Sequence, residues 1–250
     1  LLGPSLVHPA SRERVAGLAH EWDVINLHPY PGGQPPEDGI ADAVRFARRV
    51  EGRKPVMATE SGYHDALNAR SGQPPVSEQA AAVYIPRLFL EYFREGIERT
   101  FLYELADERP DPGLVDPEQH FGLLRSDLSP KPAFVAVRRL IAAAAGRGTA
   151  TAHDVPGVRT DSADVGVREV LLRRDDGSSI LALWRPAPVW LVAARRPVRE
   201  APVQVRIGFT APPHRLTVSH PSLNAETRSL TPARTLSLPI GADVTLLAYG

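Results

Sequence analysis

The segment Lys54-Pro55-Val56-Met57-Ala58-Thr59-Glu60-Ser61-Gly62 holds the residue with the clearest chemical prospect. An apolar run that ends in a carboxylate and then breaks at glycine places that acid at the C-terminal tip of a strand. In a parallel sheet the loops after the strands converge at that rim, and sites form there. A bland reading, in which Glu60 is a solvated strand-end residue, stands beside the functional one. A second segment, Trp22 to His28, separates its faces by chemistry: Ile25 and Leu27 on one, Val24, Asn26 and His28 on the other, with Tyr30 following. A fully buried structural strand rarely puts an Asn and a His on the same side. In the Glu60 strand, alternation groups Val56, Ala58 and Glu60 on one face and Met57 and Thr59 on the other. The reading that joins the two strands is geometric: Glu60 projects inward from its strand tip and shares a pocket with His28.

Other residues offer weaker prospects. Tyr103 and Glu104 follow the apolar residues of a further strand-like run, Thr100 to Ala106. Glu104 has two readings: inward, bonded to a substrate hydroxyl, or outward, paired with a cation on a helix layer. Asp107, Glu108 and Asp111 form an acidic group that reads as a polar rim loop rather than a metal site, since nothing nearby completes a coordination set. His64 reads as an exposed loop residue just past Glu60. Trp184 and Trp190 read as aromatics of a sandwich core rather than as sugar-stacking platforms. Sites built on other signatures are excluded: there is no G-x-S-x-G elbow, no P-loop, no G-x-G-x-x-G after a strand and no H-E-x-x-H. Without cysteine there are no disulfides, no thiolate nucleophile and no cysteine metal site.

The elements that must position these residues fall into two textures. Up to about Gly146, short apolar runs alternate with helical patterns, as in a parallel sheet joined by crossover helices. Helices are expected over 38–50, stopping at Gly52, over 78–95, capped by Ser77 and containing Pro86, and over 131–145, ending at Gly146. From Thr151 to Gly250 there are only short strand-like runs between turn residues, as in an antiparallel β-sandwich. Asp176-Gly177 marks a hairpin between 170–174 and 179–184, and further strands are expected over 203–209, 216–220, 235–239 and 244–249. The division is therefore 1–146 and 151–250, joined through the Ala/Gly-rich stretch 142–152.

The 250 residues carry 29 Lys+Arg and 29 Asp+Glu, so there is no net basic field to draw in nucleic acid or an anionic membrane. The pairs Arg173-Arg174 and Arg195-Arg196 read as solvated faces. No apolar run approaches the roughly 20 residues of a membrane-spanning helix.

The order of segments resembles the second half of the barrel in clan A retaining glycoside hydrolases. Leu1 to Ser5 resembles barrel strand five, Asp23 to Tyr30 strand six, Pro55 to Gly62 strand seven with a T-E-x-G nucleophile, and Thr100 to Asp107 strand eight. Phe121-Gly122-Leu123-Leu124 and then Ser129 to Phe134 resemble the lead into the last barrel helix, and an appended β-sandwich is common in such enzymes. The resemblance implies an α/β plus all-β fold: a partial (β/α)8 TIM barrel (strands 5–8 with their helices), then a sandwich. It implies Glu60 as nucleophile, with His28, Tyr30, Asn26, Tyr103 and Glu104 binding the sugar and no cofactor needed. Where many clan members stack a Trp against the sugar, this chain has Tyr103 and Glu104. The resemblance further implies a carbohydrate partner and a secreted or cell-surface setting.

Retaining hydrolysis needs a second carboxyl group about 5 Å from the nucleophile. In the clan it follows an Asn on strand four, and no Asn-Glu pair occurs in this sequence. A whole barrel takes about 250 residues, so the expectation is a fragment that lacks its first four strands and needs the missing half barrel as partner. Two rival classes remain at this stage. One is a noncatalytic carbohydrate-binding or scaffold protein; the other is a metal-dependent barrel hydrolase using His28 and Asp107.

Overall fold

The computed structural model describes residues 1–6, 8–145, 155–223 and 226–250. In its first part, strands and helices alternate: α1 (Pro9–Arg14), β1 (Ile25–Leu27), α2 (Ile40–Glu51), β2 (Val56–Ala58), α3 (Glu78–Arg94), β3 (Ile97–Thr100) and α4 (Pro132–Ala144). The strands lie in the order β1-β2-β3, parallel, and Leu2 adds a parallel bridge to Val24 at the β1 edge. Local chemistry accounts for the helix ends. Ser77 Oγ accepts the Ala80 amide at 3.1 Å, satisfying one of the unpaired N–H groups of the α3 start. Pro132 opens α4, where its missing N–H costs nothing. Gly52 closes α2 at φ +90°, which a side chain would resist.

The helices cover one face of this sheet. Ile25, Leu27, Val56 and Ala58 share a core with Val44 and Ala47 of α2 and Tyr84, Ile85 and Leu88 of α3. The alternation read for Trp22–His28 holds: Ile25 and Leu27 face the helices, leaving Asn26 on the opposite face. The third strand lies earlier than 100–106. Ile97, 1% exposed, is its core residue, while Phe101 is 52% exposed. Beyond Thr100 the Phe101 and Tyr103 amides still donate to Ala58 O and Ser61 O, while Glu104 and Ala106 pair with residues 121–124. Helix α1 has no counterpart in the sequence reading. The expected stop at Gly146 and most of the 142–152 join lie outside the described residues.

The second part is antiparallel. It comprises β4 (Val158–Thr160), β5 (Arg168–Arg173), β6 (Ser179–Trp184), β7 (Trp190–Leu191), β8 (Arg196–Pro197), β9 (Val203–Phe209), β10 (Leu216–Ser219), β11 (Thr227–Ser229), β12 (Thr235–Ile240) and β13 (Thr245–Tyr249). Five strands form one sheet, β11-β10-β13-β6-β5, and three form another, β12-β9-β4. The two sheets share a core of Leu181, Leu183, Leu247 and Tyr249 against Val205, Ile207, Leu238 and Ile240. Gly177, at φ +81°, makes the expected turn between β5 and β6. Strand β6 is buried at every position because both of its faces are covered. Leu181 and Leu183 meet the smaller sheet, while Ile180, Ala182 and Trp184 pack with Leu90 of α3 and Leu140 of α4. A strand so placed reads as a continuous apolar run rather than an alternating one.

Charge and aromatic contacts rivet the two parts. Arg87 of α3 is fully buried and binds Glu37 through two nitrogens, and Glu37 Oε1 also accepts Trp184 Nε1–H at 2.7 Å. The β7–β8 hairpin reaches over to the first part. Trp190 belongs to the core of the parallel sheet, not to that of the sandwich, and donates to Pro75 O at 3.0 Å. Arg195, far from being merely solvated, donates to the carbonyls of Leu67 and Ala69.

Candidate active site

Glu60 lies two residues past the end of β2, where the ladder no longer dictates side-chain direction. Strict alternation would send it to the helix side with Val56 and Ala58. Instead Tyr30 Oη donates to Glu60 Oε2 at 3.0 Å, and His28 Nδ1 stands 3.3 Å from the same oxygen. Among the described residues these contacts reach Oε2 and no hydrogen bond reaches Oε1. The Glu60 side chain is 43% exposed and that of His28 18%, so the pair opens to solvent on one side. The next residue turns away: Ser61 is fully buried and donates to Pro29 O at 2.7 Å, under the loop that carries Tyr30.

Gly62 completes the turn for a steric reason. A Cβ there would sit 2.2 Å from the Tyr103 carbonyl oxygen and 3.6 Å from the Phe121 ring. Phe121 joins the aromatic rings beside Glu60, edge-on to Tyr30 (5.7 Å between centroids) and Tyr103 (5.4 Å), with the His64 ring 5.1 Å away. Burial and the hydrogen bond to Glu60 push the Tyr30 phenol pKa well up, so it stays a proton donor. Tyr103, which donates to Glu118 Oε2 at 3.3 Å, is pushed up to about 12 by desolvation and by Glu104 and Glu118.

Asn26, 6% exposed, joins through Thr59, whose hydroxyl donates to Asn26 Oδ1 at 2.7 Å while His28 Nε2 lies 2.8 Å from Thr59 Oγ1. Glu104 does not reach an outward cation among the described residues: its Oε1 is buried without a partner. Desolvation first, then Glu108, Asp107 and Glu118, raise its pKa. Thr59 and Phe121 were missed as site residues. Thr59 precedes the carboxylate directly and alternates onto the Asn26 face, which was the available signal; Phe121 had none.

His64 is buried, 1% exposed, with Nε2 2.6 Å from Gln73 O, and is not the exposed loop residue expected. The acidic group after β3 has structural partners. Asp107 accepts from Lys131 Nζ at 3.0 Å and from the Gly122 amide at 2.8 Å. Lys131 also binds Asp65 at 2.9 Å. His120 lies between Asp65 (2.9 Å) and Asp111 (3.3 Å), and its pKa is raised chiefly by the Asp65 hydrogen bond. This network ties together the loops after β2 and β3. Among the described residues no group of three or more His, Asp or Glu side chains is arranged to hold a metal ion, and His28 and Asp107 serve separate clusters.

The fold is thus a parallel sheet backed by helices, with antiparallel sheets packed against them. Two solved structures share it. One is a family 39 glycoside hydrolase from the gut symbiont Bacteroides cellulosilyticus WH2 (TM-score 0.64, 17% identity, 95% of this chain and 46% of that one). The other is a glucosidase from Croceicoccus marinus (TM-score 0.59, 12% identity, 99% of this chain and 59% of that one). At these identities the likeness is one of fold, and this chain spans about half the length of these structures. No family model and no curated protein matches the chain.

Proposed function

We propose that this chain carries the nucleophile half of a retaining glycoside hydrolase, with Glu60 as nucleophile. The observation that supports it most is the convergence of Tyr30 and His28 on one oxygen of a carboxylate at the C-terminal rim of a parallel sheet. Held through Oε2, the carboxylate presents Oε1 to the anomeric carbon of a sugar. Attack breaks the glycosidic bond as an acid/base carboxyl group protonates the departing oxygen, leaving a glycosyl ester on Glu60. Water, deprotonated by that same group, then attacks the anomeric carbon and frees Glu60. Asn26, Tyr103 and Glu104 are read as sugar contacts beside His28 and Tyr30.

In this reading the bridge at Leu2 and strands β1, β2 and β3 are strands five to eight of an eight-stranded barrel, and the acid/base group belongs to the other four. The fold likeness to two glycosidases favours the same reaction class over a noncatalytic sugar-binding role.

The test is covalent trapping in a protein that joins this chain to the complementary barrel half. A 2-deoxy-2-fluoroglycoside should add one sugar mass to the peptide containing Glu60. Glu60→Gln should abolish labelling and lower kcat on the order of 10⁴-fold or more, as loss of a covalent nucleophile does. Sugar binding with no label on Glu60 would favour the noncatalytic reading instead.

A further inference from the structure

We infer that Asn26 and Thr59 are positioning residues that keep a proton on His28 Nε2 and aim its second nitrogen at Glu60. The argument counts protons. A threonine hydroxyl has one, and Thr59 gives it to Asn26 Oδ1 at 2.7 Å. At 2.8 Å from His28 Nε2, Thr59 Oγ1 can then only accept, so Nε2 carries a proton. The amide oxygen of Asn26 ends the relay and sets its direction. His28 Nδ1 is thereby the nitrogen turned to Glu60 Oε2 at 3.3 Å, a contact that is attractive only when a further proton lies between the two atoms.

The consequence rests on the glycosidase reading. When Oε1 becomes esterified to the sugar, Oε2 becomes the carbonyl oxygen of that ester. A proton on Nδ1, with the Tyr30 hydroxyl, then polarises that carbonyl and stabilises the carboxylate that departs in the second step. The proton stays on His28 throughout, and water supplies the oxygen that replaces Glu60.

Nitrogen NMR of the ¹⁵N-histidine-labelled chain reads that proton directly and needs no turnover, so its failure leaves the assignment of Glu60 standing. His28 is assigned by the signal lost in His28→Gln. The expected result is a protonated, pyrrole-type Nε2 in the unaltered protein. Thr59→Val should move that nitrogen to the pyridine-type position, because Nε2 without its acceptor gives up its proton to solvent while Nδ1 keeps the one that faces Glu60, and Thr59→Ser should restore it. Asn26→Asp keeps an acceptor but cannot donate, so the Nε2 proton should persist. A pyridine-type Nε2 in the unaltered protein, no response to Thr59→Val, or loss of the Nε2 proton in Asn26→Asp would each overturn the proposal. If Thr59→Val unfolds, the unaltered protein and Asn26→Asp decide alone.

Discussion

At the scale of single residues, the site depends as much on an absent side chain as on those present. Gly62 adopts no unusual φ; it is needed because the Tyr103 carbonyl passes where a Cβ would stand. Backbone cannot withdraw as a flexible side chain can, so Gly62→Ala must displace the chain after β3 or the turn after Glu60. Overpacking of this kind costs about 1–3 kcal/mol. The expected outcome is a loss of that size in urea unfolding, together with a shifted Tyr103 ring resonance. Unchanged stability and spectrum would mean that the two backbones have room to spare. Gly62 is also where reading by motif succeeded for an incomplete reason. It marks the end of a strand in the sequence, whereas its necessity comes from a residue 41 positions later (103 − 62).

At the scale of elements, the β7–β8 hairpin has left its neighbours to hold the loops beside the site. Trp190 fills the core of the parallel sheet, and Arg195 holds the carbonyls of Leu67 and Ala69 on the loop between β2 and α3. Trp190, 4% exposed, should cost about 3–5 kcal/mol when replaced by alanine, because it vacates a large buried volume. Arg195→Ala should differ in kind. Its bonds are at the surface and worth about 1 kcal/mol in global stability, yet they restrain a loop. Amide exchange at Asn68 and Ala69 should therefore accelerate while the melting temperature barely moves. Exchange unaltered at both amides would show that the loop is held by other means.

For the molecule as a whole, two predictions follow from how its parts are joined. Glu91, on α3, is 1% exposed and reaches Arg94 at 3.1 Å and Arg168 of β5 at 3.7 Å. Burial pushes its pKa up to about 7 from an ordinary 4.5, with Arg168 and Arg94 opposing. A carboxyl that binds its proton more tightly when folded destabilises the fold as it ionises. The penalty is absent below about pH 4.5 and complete above about pH 7, of order 3 kcal/mol. Glu91→Gln should match the unaltered protein near pH 4.5 and melt progressively higher than it by pH 8; equal melting curves at pH 8 would refute this. The parallel sheet poses the second case. Its edges are unpaired among the described residues beyond the bridge at Leu2 and the chain after β3. Leu1, Leu2, Phe101 and Leu105 are large apolar side chains left exposed near them. Open strand edges with apolar flanks associate, so sedimentation of the isolated chain should show concentration-dependent self-association. A strictly monomeric chain at high concentration would argue that this sheet is complete as it stands.

The sequence by itself determined the local bonding. Ser77 announced its cap, Gly52 its helix stop and Asp176-Gly177 its turn, because each acts on backbone groups within a few residues. It also determined that Asn26 and His28 leave the core side of their strand, since alternation is a property of the strand alone. Only the tertiary structure decided where Glu60 points, because it lies past the last ladder residue and is aimed by Tyr30 and His28, about thirty positions away. Tertiary packing likewise buried His64, shifted the third strand back to Ile97 and sent Trp190 into the core of the other half. Those choices are made by surfaces that meet only once the chain has folded, and the order of residues along the chain carries no direct record of them.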